Sequence, residues 1–335
     1  MKKLIAVILI AAFCLVCTAA LLTACTEKES DLTTVRLNEV THSVFYAPLY
    51  VALNEGYFED EGLKIELTNG GGADKSMTAV LSGQADIGLM GPEAAIYVKA
   101  AGSNNYPMVF GQLTNKDGSF LIGRSPDENF SWSSLVGKEI IGGRPGGMPA
   151  MTLEYAMHLN GLTDGENVMI NYDVQFDLIA ASFESGVGDM CTMFEPVAST
   201  YEQEGKGYIL TSVGAAAGEV PYTCFMATKN YISENRDTVL KFMRAIIRGI
   251  DFVTENSSEA IAEALSPSFP DTSVELNAKA IDAYKAIDAY KTTPVMERED
   301  YDKFLEILRF AGTLETDVAF EDIIDNSIAA ELYEG

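Results

Sequence analysis

Hydrophobic and polar residues follow one another along this chain with two periods in turn. "TVRLNEV" (34–40) alternates with period two, the pattern of a half-buried strand. "YAPLYVALNEGYF" (46–58) places its apolar residues at helical spacing and is punctuated by Gly56. "LKIELT" (63–68) is strand-like again, "ADKSMTAVLSG" (73–83) predicts a helix closed by Gly83, and "ADIGLM" (85–90) a buried strand. "PEAAIYVKAAG" (92–102) and "YPMVFGQLT" (106–114) add a helix and a strand. A second run begins at "SFLIGR" (119–124). It continues through "KEIIGG" (138–143), "PAMTLEYAMHLNG" (149–161), "VMINYDV" (168–174), "DLIAASFESG" (177–186), "DMCTMF" (189–194), "PVASTYEQEG" (196–205) and "GYILTSV" (207–213). Strands alternating with helices predict βαβ units and a mainly parallel sheet in an α/β fold. From Asn230 onward the pattern is almost wholly helical.

One helical stretch is a tandem hexapeptide, "AIDAYKAIDAYK" (280–291), in which Ile281, Tyr284, Ile287 and Tyr290 recur every three residues. A single duplication builds no solenoid. The pattern predicts a surface helix with a wide apolar stripe and assigns the repeat no function.

The N-terminus changes the picture. "MKK" is followed by eighteen residues without a charge and then by "LTAC" (22–25). A basic start, an apolar run and small residues before a cysteine form an export signal. "LTAC" resembles the bacterial lipobox. That resemblance implies cleavage after Ala24, lipid on Cys25, a signal peptide over 1–24 and a tether over 25–34. The resemblance also implies that lipid on Cys25 anchors the protein at the outer face of the cytoplasmic membrane.

The 335 residues carry a formal charge of −26, which makes phosphate repulsive and a nucleic-acid partner unexpected. Of five cysteines, Cys14 and Cys17 lie in the apolar run, and only Cys191 and Cys224 belong to the folded part, as free thiols or as a disulfide. With two histidines, His42 and His158, and no paired-cysteine or HExxH pattern, neither a metal nor another cofactor is expected. No nucleophile–base set for an exported enzyme is readable.

The candidate chemistry sits in three turns that follow strands and open helices: "TNGGGADKS" (68–76), "MGPEA" (90–94) and "GGRPGGMPA" (142–150). In parallel sheets ligands gather at such turns, where free N–H groups of helix N-termini attract anions. None is a P-loop. "GGGADKS" has Asp74 where the second glycine belongs, and "GGRPGGMPA" lacks the Lys-Ser/Thr pair.

These residues carry a family resemblance. "AP-L-Y-VA" (47–52), "GYFEDEGLKIEL" (56–67), "LSGQADIGL" (81–89), "MFEPVAS" (193–199) and "VPYT" (220–223) are similar to segments of the extracytoplasmic solute-binding proteins of ABC importers. The segments resemble in particular the group that serves nitrate, sulfonate, taurine and thiamine-precursor pyrimidines. The resemblance implies the two-lobed periplasmic-binding-protein-like fold of type 2, with lobe 1 over 35–117 and 225–335, lobe 2 over 118–224, and crossovers near 114–121 and 220–228. It implies no catalysis, a small-molecule solute, an ABC permease with its ATPase subunits as partner, and a monomer. The ligand residues it implies are Thr41, His42, Gly71, Gly72, Gly91, Pro92 and Glu93 in lobe 1, and Arg144, Gly146, Gly147, Met148 and Glu195 in lobe 2. Phe45, Tyr46 and Tyr222 are expected to flank the ligand. Arg144 with Gly146–Met148 points to a sulfonate-type anion, Glu93 and Glu195 then turning to hinge or surface partners. An aminopyrimidine-like heterocycle, using acids and aromatics together, is the alternative. The second alternative is an exported enzyme on the same fold. The pyrimidine-synthase relatives carry a cysteine-rich run that this chain lacks.

Overall fold

The computed structural model describes residues 32–314 and 318–333. The lipobox, Cys25 and the expected signal peptide and tether up to Asp31 lie outside the described residues. The chain begins with β1 (Thr33–Glu39), α1 (Ala47–Asn54), α2 (Tyr57–Asp60), β2 (Leu63–Asn69) and α3 (Ala73–Leu81). β3 (Ile87–Met90), α4 (Glu93–Ala100) and β4 (Pro107–Thr114) follow. After a short link come β5 (Ser119–Gly123), β6 (Glu139–Ile141), α5 (Met148–Leu159), β7 (Met169–Asn171) and α6 (Ile179–Glu184). Then come β8 (Met190–Phe194), α7 (Val197–Gln203), β9 (Tyr208–Ser212), α8 (Val213–Ala217) and β10 (Thr223–Thr228). Among the described residues seven helices follow: α9 (Lys229–Glu234), α10 (Arg236–Glu255), α11 (Ser258–Leu265), α12 (Val274–Ala286), α13 (Arg298–Phe310), α14 (Phe320–Ile323) and α15 (Ser327–Tyr333).

The strands make two five-stranded sheets with one plan. The first is ordered β2-β1-β3-β10-β4 and the second β7-β6-β8-β5-β9. β1 runs parallel to β3, with Leu37 opposite Ile87, and β6 runs parallel to both β7 and β8. The fourth strand of each sheet is antiparallel to both neighbours: β10 between β3 and β4, β5 between β8 and β9. The sheets are thus mixed and not simply parallel. Each antiparallel strand is the first to form after the chain has crossed from the other lobe, through 115–118 on the way out and 218–222 on the way back. A strand that enters from the partner lobe arrives at the opposite end of the sheet and must run against its neighbours.

Burial follows the sequence pattern. In β1, Val35 and Leu37 are buried while Arg36 is exposed and pairs with Asp86. β3 is buried throughout, as expected for a central strand. α10 buries Val239, Phe242, Met243, Ile246, Ile250 and Val253 at i, i+3, i+4 spacing and packs on α1. At their closest approach Gly249 faces the Pro48 carbonyl, where an added Cβ would stand 2.1 Å from that oxygen.

The tandem hexapeptide departs from expectation. Its first copy completes α12, with Ile281 and Tyr284 fully buried. The second copy leaves the helix at Ala286. Asp288 takes a left-handed backbone (φ 51°), and residues 289–294 run beside β4, with Asn115 N–H donating to Ala289 at 2.7 Å and Gln112 N–H to Pro294 at 2.8 Å. The first copy's stripe is interior, and Tyr284 ties the lobes together. Tyr284 Oη accepts from Glu195 N–H at 2.9 Å and donates to the Gly118 carbonyl at 3.0 Å, while Tyr290 Oη donates to Val44 at 2.8 Å. Cys191 and Cys224 are buried free thiols on different sheets.

Because the atom opposing Gly249 is backbone, it cannot rotate away. Gly249→Ala is expected to lower stability by about 1–3 kcal/mol, seen as a lower urea midpoint with an unchanged slope. An unchanged midpoint would contradict the α1–α10 packing.

Candidate functional site

The carboxyl ends of the parallel strands of both sheets face one another across a cleft, and Phe176 divides it into two chambers. The larger, ≈ 280 Å³, takes Thr41, His42 and Ser43 from the turn after β1, and Asn69 and Gly71 from the end of β2. Lobe 2 adds Phe176, Asp177, Ile179 and Ala180, and the run Thr192–Glu195 at the end of β8. The smaller, ≈ 40 Å³, lies between Gly72, Ala73 and Glu93 of lobe 1 and Gly143, Arg144, Gly147 and Met148 at the start of α5. Strand ends that point inward from two sheets are where an α/β fold places a ligand.

Of the residues expected to form a site, Thr41, His42, Gly71 and Glu195 line the larger chamber. Gly72, Glu93, Arg144, Gly147 and Met148 line the smaller. Gly91, Pro92 and Gly146 stand behind it. A Cβ at Gly91 would lie 2.0 Å from Glu93 Oε2 and 2.7 Å from Met148 Cγ, so the lobes meet over a position that admits no side chain. Pro92 precedes the first turn of α4, and the Gly146 carbonyl accepts from Tyr97 Oη at 2.9 Å. Phe45, Tyr46 and Tyr222 line neither chamber, contrary to expectation. They are buried in the joint between lobes, where Phe45 packs on Phe194, Tyr222 and Tyr284 at centroid distances of 5.7, 5.8 and 4.9 Å. The aromatic walls are Phe176 and Phe194 instead, in edge contact at 5.7 Å. Both follow strand carboxyl ends, a positional signal that hydrophobicity alone, which marks them as core, conceals. Asn69, Asp177 and Thr192 also line the larger chamber; they are polar residues at or after strand ends, and no motif singles them out in the sequence.

His42 is held on every side. Nδ1 lies 3.2 Å from Glu39 Oε1 and 2.8 Å from Tyr50 Oη, Nε2 lies 2.8 Å from the Ser268 carbonyl, and the ring stacks on Phe269 at 4.4 Å. The hydrogen bond to Glu39 raises the imidazole pKa above its ordinary value, against the effect of burial. Glu195 turns its carboxylate to Ser199, accepting from the backbone N–H at 2.9 Å and from Oγ at 2.7 Å, and so caps the first turn of α7. It serves the joint, and burial raises its pKa.

Glu93 does not turn to a hinge or surface partner. It is 1% exposed and lies against the N-terminus of α5. Burial pushes its carboxyl up to about 7, opposed by Arg144 and by the N–H groups of Glu93, Met148 and Ala94. Oε2 has no hydrogen-bond partner among the described residues. The helix end opened by "GGRPGGMPA" is therefore aimed at a carboxylate of the protein itself. Arg144 divides its charge between Glu93 and Asp74, whose Oδ1 is 3.4 Å from Nε. A second buried acid, Asp117, sits on the crossing segment. It accepts from Ser119 N–H at 2.6 Å and from Thr152 Oγ1 of α5, and burial pushes it up to about 6. Across the mouth, Lys75 meets Asp177 at 3.3 Å, Tyr155 meets Glu306 at 2.6 Å and Lys279 meets Glu202 at 2.9 Å, so the lobes touch on both sides of the cleft.

The profile of a family described as NMT1/THI5-like matches residues 44–260. The chain belongs to the NMT1/THI5-like family. The Bacillus subtilis (strain 168) protein YtlA, named as a candidate binding protein, is 38% identical over 311 residues, 93% of each chain. A family relative named 4-amino-5-hydroxymethyl-2-methylpyrimidine phosphate synthase, from Aspergillus parasiticus, is 28% identical over 65% of this chain and 66% of its own. Among solved structures, the alkanesulfonate-binding protein SsuA from Xanthomonas axonopodis pv. citri, bound to MOPS, superposes with a TM-score of 0.71. Its identity is 15%, covering 88% of this chain and 99% of that one. The two-sheet architecture is that of the periplasmic binding proteins.

Two buried acids with raised folded-state pKa values set the sign of the pH dependence. The folded chain holds their protons where the unfolded chain releases them. Their stabilising protonation is complete below the ordinary carboxylate range and is lost as pH rises through about 6 for Asp117 and about 7 for Glu93. Between those limits the loss is on the order of 2–3 kcal/mol apiece. Asp117→Asn and Glu93→Gln are each expected to flatten the fall in urea midpoint between acidic and neutral pH. An unaltered slope in both variants would contradict these assignments.

Proposed function

We propose that this chain is the solute-binding component of an ABC importer, capturing a small organic solute outside the cytoplasmic membrane and handing it to a permease with its ATPase subunits. The observation that carries the proposal is the ≈ 280 Å³ cleft at the strand ends of both lobes, spanned by 115–118 and 218–222 and walled by Phe176 and Phe194. Two lobes on two linkers open and close by hinge bending, and a solute touching both drives closure by its greater affinity for the closed state. YtlA and the sulfonate-binding neighbour support this reading. A signal peptide over 1–24, lipid on Cys25 and a monomeric chain complete the proposal.

Two solute classes have support. A sulfonate-type anion is favoured by the likeness to SsuA bound to MOPS and by Arg144. A flat nitrogen heterocycle is favoured by the relatives named for a pyrimidine phosphate and by a cleft with two aromatic walls and a buried carboxyl.

The importer role is tested with the cognate permease and ATPase subunits in proteoliposomes. Added chain is expected to stimulate ATP hydrolysis in the presence of an extract containing the solute. No stimulation under any solute mixture would sink the role. The anchor is tested separately: palmitate labelling is expected for the intact chain and absent in Cys25→Ala, and a labelled variant would refute the lipobox.

A further inference from the structure

We infer that the lobes part at one edge only: α5 stays docked against α4 and α13 as a pivot, while the edge at the N-terminus of α3 swings open and is the solute's way in. The inference rests on the two-lobed reading above and adds the direction of its motion.

The contacts between the lobes differ in kind at the two edges. At the first, α5 of lobe 2 lies between α4 and the end of α13. Tyr155 Oη donates to Glu306 Oε1 at 2.6 Å and accepts from Lys303 Nζ, which also stands 4.4 Å from the centre of the Tyr155 ring. The Phe310 ring meets Tyr155 at 5.6 Å and His158 at 4.6 Å. Thr313 Oγ1 donates to Met151 Sδ at 3.5 Å, and Tyr97 Oη donates to the Gly146 carbonyl at 2.9 Å. Met151 and Tyr155 are buried in this seam. Parting it would return aromatic and thioether surface to water and leave the Tyr155 hydroxyl without either partner.

At the second edge the lobes meet through ion pairs. Asp74 and Lys75, in the first turn of α3, face Arg144 at 3.4 Å and Asp177 at 3.3 Å. Each of these four side chains is 36–58% exposed. Lys279 and Glu202, which also join the lobes, are exposed as well. Exposed pairs contribute little and are screened by salt. Gly71, just before α3, and Asp177 line the larger chamber, so this weakly held edge is the one that leads into it.

The seam also lies where a pivot must lie. Thr152, one turn before Tyr155, donates to Asp117 on the first crossing segment. Tyr284 and Ser43 hold both main-chain groups of Glu195 inside the aromatic joint. The strong contacts thus run together from the joint to α5, and in a hinge motion contacts along the axis move least.

The experiment measures initial rates of methionine oxidation by dilute hydrogen peroxide on the full chain without solute, by peptide mass spectrometry. A thioether oxidises as fast as it becomes accessible. Met193, which lines the larger chamber, Met151 in the seam and Met243 in the core of lobe 1 are all buried in the structure, so differences in rate report opening. Met193 is expected to oxidise roughly tenfold faster than Met151, and Met151 as slowly as Met243. Lys303→Ala with Glu306→Ala is expected to speed Met151 toward the rate of Met193 and leave Met243 unchanged. If Met243 also speeds up, that variant is unfolding, and Tyr155→Phe, which keeps the ring and loses only the hydroxyl contacts, decides in the same way. Wild-type Met151 keeping pace with Met193 overturns the inference, because both edges then open. Met193 as slow as Met243 overturns it too, as does a Met151 rate that neither variant raises. None of these measurements uses a solute, so the ATP-hydrolysis assay judges the importer role by itself.

Discussion

One phenol holds the two lobes in register. Tyr284 comes from a helix late in the chain, yet its hydroxyl accepts from Glu195 at the edge of the cleft and donates to Gly118 on the first crossing segment. A buried tyrosine must find a partner for its hydroxyl, and here donor and acceptor belong to the two pieces of chain whose relative position defines the cleft. Its ring packs on Phe45, Phe120 and Tyr290, so the hydroxyl is delivered by a fixed aromatic cluster. Ser43 Oγ donates to the Glu195 carbonyl, pinning the same residue from lobe 1. With both main-chain groups of Glu195 committed, its side chain is free to cap α7, and the wall Thr192–Glu195 is set. The joint is aromatic because one packing problem, filling the space between two crossing segments, consumes Phe45, Tyr46 and Tyr222.

Polarity in the cleft is arranged as matched pairs with one exception. His42 has Glu39, Lys75 has Asp177 and Arg144 has Asp74. Glu195 has the N-terminus of α7. Exposed pairs of this kind contribute little to stability, but they remove the charges that a free anion would seek. Among the described residues that line the two chambers, Glu93 has a buried oxygen without a hydrogen-bond partner.

Membership of the NMT1/THI5-like family and the binding-protein architecture agree with this division of labour. The scaffold that brings strand ends together is shared with proteins of low identity. The side chains at those ends, Phe176, Glu93 and Arg144 among them, are where members can differ without altering the sheets.

The alternation of periods two and 3.6 was enough to place nine of the ten strands among the described residues and most helices, because each element buries one face and the pattern records which; β10 was anticipated only as a crossover that the family resemblance implies. The glycine turns could be placed at helix starts, since Gly-Pro runs after an apolar strand leave few other backbones. Sequence could not tell which aromatic faces solute: Phe45 and Phe176 are equally apolar, and only packing sends the first into the joint and the second into the cleft. It could not see that the second hexapeptide copy would leave the helix, because Asp288 adopts its left-handed turn only where Ala289 and Pro294 find hydrogen bonds beside β4. Nor could it say what the bare helix at Met148 faces. Glu93 and that helix lie more than fifty residues apart, and their meeting depends on two sheets closing on each other. Local pattern fixes what each segment becomes; which charge meets which helix end is decided by long-range contact, and the chemistry of this cleft is of that second kind.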